Sequence, residues 1–251
     1  MSLDAIKGIK PEGLWQRFYE ISQVPRPSKK EEKIRAYLRQ LLSELELSWK
    51  EDAIGNKMAA VPATKGFENA PTIVLQGHVD MVCEKNKGTQ HDFDNDPLNL
   101  KQIDGWITAD GTTLGADNGI GVAAAIAVAT DENAVHGPLE LLMTIDEETG
   151  LTGANNLQPG FITGKILLNM DSEEHGAFYV GCSGGIDTVG TFTAEYENAK
   201  SGASAFEIMI TGLKGGHSGL DIQTGKGNAI KILARTLLAL EGVDYSVAKI
   251  D

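Results

Sequence analysis

The stretch Leu139–Ile145, apolar except for Glu140, ends abruptly in three consecutive carboxylates, Asp146-Glu147-Glu148. A short apolar run bounded by charge reads as a strand buried on both faces, and only a sheet covered on each side can house one. Three acids at the mouth of such a strand raise one another's pKa. That costs free energy unless a cation or a proton sits among them.

Further strand-like runs are NKMAAV (56–61), TIVLQ (72–76) and KILLNM (165–170). Leu14, Trp15, Phe18 and Ile21 give residues 11–22 helical spacing, and Ile34, Leu38, Leu41, Leu42 and Leu45 do the same for a second helix. Ser28 followed by Glu31 has the spacing of a capping box for that helix. A third helix, Asn118 to about Ala129, is rich in alanine and suited to close packing on a sheet. Strands alternating with helices predict the α/β class, with the sheet covered on both faces.

Near Ser183 the character changes. GCSGGIDTVG is glycine-rich, residues 203–219 read as an alternating strand entering a loop, and residues 227–240 as an amphipathic helix. A domain boundary is therefore expected there, dividing 1–183 from 184–251.

Four acidic or imidazole groups stand where apolar runs end or a helix begins: His78 with Asp80, Asp117, Glu147-Glu148, and Asp171. Ligands of open α/β sheets bind outside the carboxyl ends of the strands, so these residues are placed to converge on one crevice. Each has a bland reading. A lone His-x-Asp is more often a loop histidine with a capping acid, Asp117 alone is an ordinary helix cap, and adjacent glutamates can face opposite ways. Their repeated placement at the same strand ends favours a metal centre. Imidazole and carboxylates without thiolates suit zinc, manganese or cobalt. Asp80 is spaced to fix the ring of His78. One of the paired glutamates is suited to bind metal and the other to handle a proton.

Composition narrows the partners. The formal charge of −13 argues against nucleic acid and anionic membranes, which need clustered Lys and Arg. Two cysteines, Cys83 and Cys182, give no disulfide framework, and the first residues lack the apolar core of a signal peptide. A cytoplasmic protein is expected. The spacing of Asp92, Asp94 and Asp96 fails the calcium-loop pattern at Pro97 and Ile103, so an acidic turn is expected.

Taken together and in order, GHVDMV, DGTTLGADNGIGVA, DEETGLTGA, LNMDSEE and GGHSG resemble the M20 metallopeptidases, and within them the cytosolic aminoacyl-histidine dipeptidases. The resemblance implies a zinc-peptidase-like catalytic domain with a central mixed sheet flanked by helices (1–183). It also implies the beginning of an inserted α+β lid and dimerisation domain (184–251). It implies two divalent ions, most simply Zn2+, with Co2+ or Mn2+ possible. His78 and Asp171 would bind the first ion, Glu148 the second, and Asp117 both, with a cis bond expected between Asp117 and Asn118. Asp80 would orient His78, Glu147 would be the general acid/base, and His217 would polarise the scissile carbonyl. The implied reaction is hydrolysis of Xaa-His and other short peptides by a metal-activated water, in a homodimer. An N-acyl amino-acid deacylase of the same fold and a catalytically incomplete metal-binding fragment are the alternatives.

One departure bears on the last of these. The family supplies a further histidine ligand after its lid, whereas the histidines here are His78, His91, His136, His175 and His217. The favoured expectation is a fragment of a longer chain, inactive as it stands; the alternative is a chain that holds its second metal poorly, with His175 as a substitute ligand at most.

Overall fold

The computed structural model describes residues 3–172, 174–182, 184, 186, 188–216 and 221–250. The chain divides into two compact units, 1–183 and 184–251.

In the first unit, helices α1 (Glu12–Ser22) and α2 (Glu32–Glu44) precede strands β1 (Ser48–Glu51), β2 (Lys57–Val61) and β3 (Ile73–His78). A hairpin of β4 (Leu100–Ile103) and β5 (Trp106–Ala109) follows, then α3 (Ala116–Thr130), β6 (Leu139–Thr144), the short α4 (Thr152–Asn155) and β7 (Ile166–Asn169). The main sheet has the order β1-β2-β6-β3-β7. β3 runs parallel to both β6 and β7, while β2 is antiparallel to β1 and to β6. The mixed sheet flanked by helices is thus the observed architecture.

Alternation along the strands divides the core. Ala59, Val61, Leu75, Leu141 and Met143 join the cluster that holds Phe18 and Ile21 of α1, Ile34, Leu38, Leu41 and Leu42 of α2, and Val122, Ala123 and Ile126 of α3. On the opposite face Met58, Val74 and Leu142 pack with Phe161, and Leu157 and Ile162 lie against them. β6 is buried at every position. Its one charged residue, Glu140, accepts hydrogen bonds from the Thr163 backbone and hydroxyl and from the Gly164 backbone, which is what a buried carboxylate requires.

Three local differences from the sequence reading have physical causes. The capping box does not form. α2 begins at Glu32, Lys29 adopts φ 66°, and the Ser28 hydroxyl turns away to donate to Asp80 at 2.8 Å. The β4–β5 hairpin turns at Asp104-Gly105, both at positive φ, the signature of a tight two-residue turn. In the second unit, residues 203–216 form no strand. A strand needs a partner for its backbone groups, and the described residues of that unit contain none. The amphipathic segment there forms α5 (Ala229–Leu238), capped by the Asn228 side chain accepting from the Lys231 backbone. No helix among the described residues is long and apolar enough to cross a membrane.

Candidate metal centre

Parallel pairing brings the carboxyl ends of β3, β6 and β7 to one edge. His78 is the last residue of β3 and pairs with Thr144, the last of β6; Asn169, the last of β7, pairs with Gln76. The loops that follow carry Asp80, Glu147-Glu148 and Asp171. Asp117 arrives from the first turn of α3, where Asp117 and Asn118 depart from helical geometry and the bond between them is cis.

The approach of α3 to β3 depends on missing side chains. A Cβ on Gly77 would overlap the Asn118 amide oxygen, and one on Gly121 would stand 2.8 Å from the Met170 carbonyl. With both positions bare, Asn118 donates to the Met170 carbonyl at 2.7 Å and so ties the start of α3 to the end of β7, beside Asp171.

His78 is fully buried. Its Nδ1 lies 3.1 Å from the Asp80 carbonyl oxygen and 3.2 Å from the Asp80 carboxylate. Its Nε2 faces the acids: Asp117 at 2.9 Å, Asp171 at 3.6 Å and Glu147 at 3.9 Å. Ligand atoms of His78, Asp117 and Glu148 all lie within 4.8 Å of one another, a cluster that can hold a metal ion. Asp117 is exposed, so the cluster opens to solvent. The donor set fits a borderline divalent ion, with one imidazole, several carboxylates and no thiolate within it.

Asp80 organises more than the ring. Its two oxygens accept from the backbone N–H of Glu147 at 3.0 Å and of Glu148 at 3.3 Å, fixing the loop that carries both glutamates. Burial alone would raise its pKa. The bonds from His78, Glu147 and Ser28 outweigh that and hold it down at about 2. Burial would likewise depress the His78 ring, but Asp117, Asp171 and Asp80 push it up to about 12. Glu148 is pushed up to about 7 by burial and by Asp117, and Glu147 is raised by burial with Asp171 and Asp80 adding to it. Acids so perturbed mark a place where negative charge is crowded and a cation is favoured.

The sequence reading named His78, Asp80, Asp117, Glu147, Glu148 and Asp171, and the structure brings all six side chains together. His217 lies outside the described residues. His175 is exposed, and His136 bonds its own neighbour's carbonyl, that of Gly137, at 2.7 Å. Asp92 accepts from the Asp94 backbone and the Asn95 amide, an acidic turn closed on itself. Sequence reasoning gave Arg26 no role, took Glu31 for a helix-capping residue and left Asp146 as one of three clustered carboxylates; all three are buried charges.

Residues 74–223 match the family described as Peptidase family M20/M25/M40. The cytosol non-specific dipeptidase of Escherichia coli (strain K12) is 46% identical over 236 residues, covering 94% of this chain and 48% of that protein. Among solved structures, the aminoacylhistidine dipeptidase of Vibrio alginolyticus matches with a TM-score of 0.70 at 42% identity, covering 94% of this chain and 48% of the other. Aminopeptidase PepT of Bacillus cereus matches with a TM-score of 0.56 at 31% identity, covering 66% and 44%. The chain spans about half the length of the curated relatives it matches.

Proposed function

The chain belongs to peptidase family M20/M25/M40, and from that premise we propose that it carries the metal centre of a dipeptidase acting on Xaa-His and other short peptides. The observation that supports this most is the convergence of His78, Asp117 and Glu148 within 4.8 Å, with Asp171 3.6 Å from the ring, at the carboxyl edge of three parallel strands.

In this reading His78, Asp171, Glu148 and Asp117 would hold the divalent ions, His78 and Asp171 toward the first, Glu148 toward the second and Asp117 toward both. Zinc is the simplest choice, with cobalt or manganese as substitutes. When bound, such ions polarise a peptide carbonyl and lower the pKa of water toward neutrality. The remaining work falls to the chain's own groups. Asp80 holds His78 through Nδ1 and the two glutamates through their backbone N–H groups. The Glu147 carboxylate takes a proton from the attacking water and returns it to the leaving amine. His217 is assigned the developing oxyanion by resemblance. Residues 1–183 are read as the catalytic domain and 184–251 as the start of a lid that pairs two copies. The cytosolic naming of the Escherichia coli relative supports a cytoplasmic location.

The test is hydrolysis of a free-amino dipeptide against its N-acyl counterpart, with metal content measured on the same sample. Turnover of the free dipeptide that chelation abolishes supports the reading. Activity confined to the acylated compound, or an absence of bound metal after exposure to Zn2+, overturns it.

A further inference from the structure

Arg26 sits between the two prolines of PRPS, on the segment joining α1 to α2, and is 1% exposed. Its guanidinium is bonded to carbonyl oxygens rather than to a carboxylate. Nη1 donates to Val79 at 3.0 Å and to Asp80 at 2.9 Å, and Nη2 donates to Gly115. Among the described residues, Nε has no acceptor. Val79 and Asp80 directly follow His78, and Gly115 stands two residues before Asp117. One side chain therefore grips the backbone of both loops that present the imidazole and the carboxylate facing each other at 2.9 Å.

The surroundings are shaped to this grip. A Cβ on Gly115 would overlap Nη2, and one on Gly119 would stand 2.7 Å from it. The Arg26 carbonyl accepts from the Met81 backbone at 3.2 Å, and Pro27 bridges Met81. A buried cation bonded only to neutral oxygens is expensive unless negative charge lies near. Burial lowers the Arg26 pKa from 12.5 to about 10, while Asp80, Asp117 and Glu148 among its neighbours raise it, so the group stays charged at neutral pH.

We propose that Arg26 is a positioning residue of the metal centre: its planar fork fixes the spacing of the His78 and Asp117 loops. Lysine carries the same charge without the fork, and methionine carries neither. The inference rests on the metal-site reading given above.

The experiment compares the wild-type chain with Arg26→Lys and Arg26→Met after chelator treatment. Each is titrated with Co2+ alone, and affinity is read by calorimetry and coordination by the visible ligand-field spectrum. Folding is checked by circular dichroism and thermal unfolding in chelator. Arg26→Met is expected to weaken Co2+ binding by about 10–100-fold, the range typical of groups that orient metal ligands. Arg26→Lys, which keeps hydrogen-bond donors but reaches one loop rather than both, should recover part of that loss and retain an altered spectrum. Glu51→Gln, a destabilising change outside the cluster, should bind Co2+ as the wild type does.

Unchanged affinity and spectrum in both Arg26 variants would overturn the inference even if their melting temperatures fell. So would an equal loss in Glu51→Gln, because stability alone would then explain it. If Arg26→Met does not fold, Gly119→Ala carries the test by displacing the guanidinium without altering any charge; it should show the same weakening, and wild-type binding would overturn the inference. Failure of the wild-type chain to bind Co2+ removes the metal-site reading together with this inference, whereas normal wild-type binding with unaffected variants removes this inference alone.

Discussion

Two groups of carboxylates meet at the loop after β6, and the fold treats them differently. Inward lie Glu31, Asp80 and Asp146, all buried, with one ligand atom from each within 4.8 Å of the others. Protein donors surround this group. Glu31 accepts from the Lys29 and Asp146 backbone, Asp146 from the Thr149 and Thr152 hydroxyls, and Asp80 from Ser28, His78 and two backbone N–H groups. Outward lie Asp117, Glu147, Glu148 and Asp171, where the His78 ring is the principal donor and, among the described residues, the Glu148 carboxylate receives none. Burial of charge is tolerated when hydrogen bonds replace water. The inner acids meet that condition with protein groups, and the outer acids do not. The shortage of protein donors, rather than charge density alone, separates the candidate metal cluster from the buried one.

Four measurements can break or sharpen this contrast. The largest effect is expected for Asp117→Ala, which removes the carboxylate nearest His78. Co2+ affinity should fall by roughly 1,000-fold, about 4 kcal/mol, with little change in the stability of the chelator-treated protein. A fall below tenfold in calorimetry would place the ion elsewhere. Next is Asp146→Ala, which removes a buried carboxylate and takes the acceptor from the Thr149 and Thr152 hydroxyls, the first exposed and the second half-buried; it should lower unfolding stability by about 2 kcal/mol. Denaturant melts should show that loss with and without chelator, because this group belongs to the scaffold.

A third carboxylate, Glu51, is neutralised by protein cations and sharpens the comparison from the other side. Arg35 lies 2.5 Å from it, Arg39 2.7 Å and the buried Lys57 3.2 Å. Burial alone would raise its pKa, but these partners bring it from 4.5 down to about 2. Its folded pKa is below its unfolded one, so its contribution is complete above pH 4.5 and is lost as the pH falls through about 2. Glu51→Gln should cost about 1–2 kcal/mol at pH 7, less than a fully buried pair because the arginines are partly exposed. It should also flatten that part of the acid-unfolding curve. The smallest effect is expected for Glu148→Gln in chelator. Removing one like charge from the outer group should leave the melting temperature unchanged or raise it by the equivalent of about 1 kcal/mol. A clear drop would mean that the outer acids are as well provided with donors as the inner ones.

The parts legible in the sequence were those governed by local periodicity. The stripes of α1 and α2, the alanine-rich α3 and the apolar runs of β2, β3, β6 and β7 all lie where spacing placed them, within a few residues. Five of the six clustered residues were legible because they stand at or just after strand ends that the parallel pairing of β3, β6 and β7 gathers, and Asp117 because it opens a helix. β1 was missed because Ser48-Trp49-Lys50-Glu51 is short and polar, an edge strand held by pairing with β2. The β4–β5 hairpin was missed although Asp104-Gly105 is a turn signal. The burial of Arg26 and Glu31 was illegible for a deeper reason: it rests on distant backbone groups, the Val79, Asp80 and Gly115 carbonyls for the first and the Asp146 N–H for the second, which no side-chain pattern reveals.

The bare positions at Gly77 and Gly121 reach beyond packing. They press the first turn of α3 against β3 and β7 so closely that the distance between the imidazole and the Asp117 carboxylate is set by how a helix lies on a sheet. Moving Asp117 relative to His78 would therefore require the whole helix to slide, whereas Glu147, Glu148 and Asp171 ride on loops. The rigid half of the cluster is the imidazole–Asp117 pair, and the adjustable half is the set of acids that loops carry.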